Sequence, residues 1–216
     1  MRQLVSLANF ANVSDSSAFD PDEQARSLSA KAAAALDRLG DYTRVRHWEA
    51  ARAAGLTPLQ HKVLLSVRYH GASNAKPSAL AAYFGVARPT ISEATRLLLK
   101  KQLLGKRRSA DDGRAFELFI TDAGERLLTQ ASDPLADLRS TFADLPKSEL
   151  EATYASLYAL IDQLERSGAL SRQRNCHTCV HFRDRPSVPY CALLKRNLTP
   201  PRLRIDCPEH ERRDVA

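Results

Sequence analysis

A chain of 216 residues, 44% of them hydrophobic and 26% charged, has enough length for one domain with an appendage or for two small domains. No run of about 18 apolar residues is available to span a bilayer. The start, MRQLVSLANFANVSD, has an apolar stretch broken by Ser6, Asn9 and Asn12 and lacks the regions of a secretory signal, so a cytoplasmic protein without a membrane partner is expected. The net charge of +7 is uneven: residues 76–126 carry +4, 127–170 carry −4 and 171–216 carry +5. Two basic blocks around an acidic one suit a chain that meets a polyanion at particular places; a solvated basic surface is the plainer account.

Residues 1–27 read as a polar lead-in. From Asp20, the stretch DPDEQARSLSAKAAAALDRLGDYTRVRHW predicts a long helix, with Leu28, Ala32, Ala35, Leu39 and Tyr42 spaced by fours and threes as a seam for another helix. After Gly55, Thr57 is placed to cap a second helix, with Pro58 in its first turn, Gln60 completing a capping box, and Leu59, Val63, Leu64 and Val67 as its core face. Gly71 and the following ASNAK read as a loop. PSALAAYFGVARPTISEATRLLLKKQLL then predicts two helices broken at Gly85. The first buries Leu80 and Phe84; the second begins at Pro89 and buries Ile91, Ala94 and Leu98. A short helix, a tight turn and a second helix make a helix-turn-helix, whose second member can enter a major groove.

From residue 104 to 120 the period changes to two. Phe116, Leu118 and Ile120 alternate with Ala115, Glu117 and Phe119, and ADDG supplies turn chemistry. This predicts a β-hairpin with Lys106, Arg107 and Arg108 on one arm and Arg114 at the tip, placed as a wing directly after the helix-turn-helix. Thr121 is an N-cap for a returning helix, and Pro134 starts or bends a segment. The last helix, about 147–167, carries Leu150, Tyr154, Leu157, Ile161 and Leu164 as a second seam and stops at Gly168.

The order of elements from about Leu28 to Leu170 resembles the MarR family of winged-helix transcriptional regulators. The wing carries the resemblance most specifically: DDGRAFELFITDAG is similar to the family pattern through Asp112, Arg114, Thr121 and Gly124, with Ile120 where leucine is usual. The resemblance implies a homodimer joined through its first and last helices, with two heads on a pseudo-palindromic operator in double-stranded DNA. It also implies that a small-molecule effector can bind between heads and dimer helices, although no residue identifies one. A dimer would set its recognition helices about one DNA turn, roughly 34 Å, apart.

Under that reading Arg88, Thr90, Ser92, Glu93 and Arg96 form the outer face of the recognition helix. Arg88 and Thr90 lie at its start, where backbone N–H groups also receive phosphate. Ser92 and Arg96 are placed for base edges, and Glu93 either accepts from cytosine or restrains Arg96. Lys106, Arg107 and Arg108 suit phosphates, and Arg114 a narrow A·T-rich minor groove. Polar residues on the outside of an amphipathic helix are ordinary, so it is the wing that gives them a direction.

The resemblance stops before residue 171. Every cysteine of the chain, Cys176, Cys179, Cys191 and Cys207, stands in the segment beyond it. The spacing Cys-x2-Cys-x11-Cys-x15-Cys provides four thiolates for a metal. A [4Fe-4S] cluster accepts such dispersed ligands and is commonly followed by proline, here Pro208; the spacing is similar to that of high-potential iron-sulfur proteins. Zn2+ in a closed four-thiolate site and redox-active thiols without metal are the alternatives. His177, His181 and His210 stand nearby as substitute ligands or bystanders. With few bulky apolar residues beyond Phe182, Tyr190, Leu193, Leu194, Leu203 and Ile205, the segment needs its ligands in place of a core.

The fold class expected is therefore mainly α with a small β-hairpin wing. It divides into a lead-in (1–27), a winged helix-turn-helix head with long dimerisation helices (28–170) and a small cysteine-ligated module (171–216). The function expected is sequence-specific transcriptional regulation, with the cysteine centre sensing redox or metal status. A DNA-processing metalloenzyme with a structural cluster and a winged-helix adaptor are the rivals, though no P-loop, nucleophile elbow or His-Glu-x-x-His pattern supports an enzyme.

Overall fold

Prolines and polar caps decide where the helices begin. In the computed structural model the described residues are 17–70, 75–108, 116–171 and 173–213. They fall in two units, 1–47 and 48–216, whose boundary lies inside a helix. The first unit holds α1 (Pro21–Arg26) and most of α2 (Leu28–Ala53). Asp20 caps α1 by accepting from the Asp22 N–H at 2.9 Å. The single helix expected from Asp20 is thus interrupted. Ser27 is extended (φ −121°, ψ 117°), and its hydroxyl accepts from the Ala30 N–H at 3.2 Å, which ends one helix and starts the next. Within α2, Ala30 and Ala34 are buried while Leu28, Leu36, Leu39 and Val45 are exposed.

In the second unit, α3 (Pro58–Tyr69) opens with the expected capping box: Thr57 Oγ1 accepts from Gln60 N at 3.2 Å, and Gln60 Oε1 accepts from Thr57 N at 3.0 Å. α4 (Pro77–Phe84) ends at Gly85, whose positive φ of 62° only glycine takes cheaply, and α5 (Arg88–Lys100) follows two residues later. Leu64, Leu80, Ile91 and Leu98, all fully buried, knit these three helices together. Each such side chain contributes about 1.5–3 kcal/mol by leaving water.

Strands β1 (Leu104–Arg108) and β2 (Phe116–Ile120) pair antiparallel, Leu104 opposite Ile120 and Arg108 opposite Phe116. The Leu118 N–H also donates to Ala75 O at 3.0 Å, tying the wing to the stretch before α4. The expected alternation along β2 holds only in part. Leu118 is buried, but so is Glu117, 3.6 Å from Arg107, while Phe116 is exposed. Two glycines fit the wing to its base: a Cβ on Gly105 would overlap the Phe119 ring, and one on Gly124 would overlap the Leu103 carbonyl.

Three helices follow: α6 (Asp122–Gln130), α7 (Ala136–Ala143) and α8 (Lys147–Arg166), the last closed at Gly168 with φ 78°. Thr121 caps α6, accepting from the Gly124 N–H at 3.1 Å and donating to Gln102 O at 2.7 Å. Pro134 lies in the break before α7, where Asp133 Oδ1 accepts from the Leu135 N–H at 2.9 Å. The C-terminal segment forms a 3-10 turn (Cys176–Thr178), three two-residue strands in the order β3 (Phe182–Arg183), β4 (Tyr190–Cys191) and β5 (Arg196–Asn197), and a second 3-10 turn (Pro200–Arg202). Its core is Cys176, Phe182 and Leu198, flanked by Cys191 and Leu203. Cysteine sulfur thus fills the place a larger module would give to aliphatic side chains.

Candidate nucleic-acid interface and cysteine centre

α5 is amphipathic in the plain sense that Ile91, Ala94, Thr95 and Leu98 are buried and the opposite face is not. Arg88, Thr90, Ser92, Glu93 and Arg96 are all exposed on that outer face. No side-chain hydrogen bond caps the start of α5 at Ala87; Pro89 carries no N–H, and the Thr90 N–H donates to Ala87 O at 3.0 Å. Glu93 and Arg96 pair through two bonds of 2.6 and 2.8 Å. The shared bonds hold the Glu93 carboxyl below the usual carboxylate range and raise the Arg96 guanidinium further. Glu93 therefore restrains Arg96, one of the two roles expected of it.

On β1, Lys106, Arg107 and Arg108 are exposed. The Lys106 ammonium lies 5.3 Å from the Phe116 ring and the Arg107 guanidinium 6.0 Å from Phe119, so wing aromatics support the basic arm. Arg114 and Asp112 lie outside the described residues.

All four cysteines are free, three buried and Cys191 half-buried, and all four line one cavity of about 20 Å3 together with Phe182 and Leu198. Among the described residues, no group of three or more His, Cys, Asp or Glu side chains is placed to hold a metal ion. N–H groups are aimed at three of the sulfurs: Arg204 N at Cys176 Sγ (3.3 Å), Leu194 N at Cys191 Sγ (3.4 Å) and Arg204 Nη1 at Cys207 Sγ (3.6 Å). Burial pushes the Cys176 and Cys207 thiols up. His181 borders the cavity. His177 instead packs between Tyr158 and Phe182, 2.8 Å from Asp162, and His210 pairs with Thr178 at 2.9 Å.

The module is fastened to the helix-turn-helix by residues that the sequence reading did not single out. The Arg174 guanidinium donates to His70 O (3.1 Å), Cys207 O (2.7 Å) and Pro208 O (3.1 Å). Asp206 accepts from the Tyr83 hydroxyl at 2.8 Å and lies 3.3 Å from His70 Nε2. Burial alone would raise the Asp206 carboxyl; the partners His70, Tyr83 and Arg174 outweigh it and hold the group below its ordinary range. On α8, the Tyr154 hydroxyl donates to Leu203 O at 2.6 Å, and buried Glu165 accepts from Gln173 N at 2.6 Å and from Asn175 Nδ2. Tyr154, read as part of a seam for another helix, is thus engaged within the chain. No periodicity marks Arg174 or Asp206, because their partners lie 33 to more than 120 positions away.

A helix-turn-helix followed at once by a basic two-stranded wing defines a winged-helix domain. Residues 54–115 match the model of the MarR family. It is 24% identical over 123 residues to the transcriptional repressor MprA of Escherichia coli K12, an alignment covering 55% of this chain and 70% of MprA. Among solved structures, its fold is similar to the MepR–DNA complex of S. aureus (TM-score 0.51, 19% identity, 60% of this chain and 94% of that one). It is equally similar to CouR of Rhodococcus jostii RHA1 bound to p-coumaroyl-CoA (TM-score 0.52, 20% identity, 62% and 94%). None of these alignments covers the whole chain.

Proposed function

We propose that the protein is a sequence-specific transcriptional regulator, a repressor, that acts as a homodimer on a pseudo-palindromic operator in double-stranded DNA. The observation that carries this is the exposed outer face of α5, in the same head as the basic arm Lys106–Arg108. Arg88 and the wing cations meet phosphate, Ser92 and Arg96 meet base edges, and Arg114 completes the wing in the adjoining minor groove. The named relatives support the reading: MprA is a repressor, and MepR has been seen on DNA.

Dimerisation uses the apolar side chains left in water, Leu28, Leu36, Leu39 and Val45 on α2 and Leu160 and Leu164 on α8. A cleft of about 700 Å3 bordered by His70, Tyr83, Glu165, Arg166 and Arg174 has the size of a small-molecule effector site, and CouR holds p-coumaroyl-CoA. The cysteine module adds a centre that senses metal or redox status, with a [4Fe-4S] cluster as its cofactor and Zn2+ as the alternative. No helix among the described residues is long and apolar enough to cross a membrane, which is consistent with work on DNA in the cytoplasm.

Selection of bound duplexes from a random-sequence pool with the purified full chain tests the proposal. It should yield two inverted half-sites about one helical turn apart and a complex containing two chains. Recovery of no common sequence would remove it.

A further inference from the structure

Four thiols face one space, and the size of that space bears on what it can hold. Around a single zinc, four thiolates stand about 2.3 Å from the ion and leave no room for a sphere as large as water. The cavity lined by Cys176, Cys179, Cys191 and Cys207 has about 20 Å3, more than the roughly 10–15 Å3 that one water needs. A cube of alternating iron and sulfide takes one thiolate at each of four separated corners, which is the arrangement of a wider ring of sulfurs.

The surroundings agree. A neutral thiol is a weak acceptor, yet N–H groups reach the sulfurs of Cys176, Cys191 and Cys207, and the Arg204 guanidinium is among them. Such donors suit thiolates that share the negative charge of a cluster and would tune its potential. Phe182, Leu193, Leu194 and Leu198 give much of the lining apolar surface, alongside charged Arg204 and Glu209. With four protein ligands no iron is left open for substrate, so the centre suits sensing better than chemistry.

We infer that the four cysteines hold one [4Fe-4S] cluster, and that the cluster sets how firmly the C-terminal module grips the helix-turn-helix. Cys207 is the joint. Its carbonyl and that of Pro208 accept from Arg174, which also holds His70 O at the end of α3. Its neighbour Asp206 holds Tyr83, two residues before the turn at Gly85 that aims α5. Ser171 adds a bond to Tyr83 O at 3.1 Å. A ligated Cys207 fixes this clamp; removal of iron frees residues 204–208 and with them the hold on α4. The regulatory meaning of the clamp rests on the DNA-binding reading given above, whereas the cluster itself does not.

The test uses the full chain purified without oxygen and reconstituted with ferrous iron and sulfide. Elemental analysis should give four irons and four acid-labile sulfides per chain, with broad visible absorption, all lost in Cys179→Ser. One zinc per chain with no iron taken up, or no metal at all, would overturn the cluster. Amide exchange then reads the clamp without DNA: chelation of iron should raise exchange in residues 77–84 by about tenfold or more, and Tyr83→Phe should reproduce part of that rise in the loaded protein. Unchanged exchange would overturn the clamp and leave the cluster standing.

Discussion

Arg174→Ala addresses how the cysteine module is attached, and its size can be worked from three bonds. Arg174 is 7% exposed, and its guanidinium donates to three carbonyls, those of His70, Cys207 and Pro208. A hydrogen bond from a charged donor contributes roughly 1.5–3 kcal/mol, so the three together would reach about 4.5–9 kcal/mol if simply added. Two effects reduce that sum. Burying the guanidinium costs several kcal/mol in solvation that alanine does not incur, and carbonyls released by undocking find water. A net loss of about 3 kcal/mol is expected, roughly a hundredfold in the docking equilibrium. Arg174→Lys should recover only part of it, because one ammonium cannot span three carbonyls as a planar fork does. Urea unfolding of the metal-loaded full chain, with amide exchange over 171–213, measures the effect. A change below about 0.5 kcal/mol with unaltered exchange would refute the reasoning, since a buried cation with three partners cannot be removed so cheaply.

Further outcomes follow from single contacts. Gly124→Ala places a Cβ against the Leu103 carbonyl, a backbone atom that cannot swing away, so the thermal midpoint should fall by several degrees, whereas Gly40→Ala, open on all sides, should not lower it. His61 is buried in α3, its Nδ1 without a hydrogen-bond partner among the described residues, and burial lowers its pKa from 6.5. The unfolded chain therefore takes the proton first. The contribution of His61 is complete above pH 6.5 and stability declines as pH falls from there towards the lower folded value, by at most about 1.4 kcal/mol per pH unit; His61→Leu should flatten that decline in melts between pH 7 and 5. Arg114→Ala should weaken operator binding in gel-shift titrations far more than Arg26→Ala, whose side chain is exposed and 3.7 Å from Glu23. Equal losses would place the DNA elsewhere.

Local signals in the sequence carried most of the winged helix. The Thr57 capping box, the Gly85 turn, the buried Ile91, Ala94 and Leu98 and the Thr121 cap are each decided within four residues, and each stands where spacing put it. Thr121 and Gly124, read first as parts of a family pattern, acquire a physical reason in the Leu103 carbonyl that both of them meet. What period and capping could not supply was contact at long range. Glu117 breaks the expected alternation of β2 because Arg107 across the hairpin receives it. Leu198, buried at the heart of the cysteine module, carries no periodic mark in its short segment. Arg174 and Asp206 would have passed for ordinary surface charges in a basic tail, and only the fold shows them clasping His70 and Tyr83.

The central claim is that α5 and the wing grip DNA, and a salt titration of operator binding tests it most directly. Fluorescence anisotropy of a labelled duplex from the selection should show log K falling linearly with log salt, with a slope of several phosphate contacts. Arg88→Ala should flatten that slope by about one, and Arg96→Ala should cost roughly 1–3 kcal/mol at one base position while leaving it less affected. A full chain that binds no duplex at low salt, or whose binding ignores salt and both substitutions, would contradict the account.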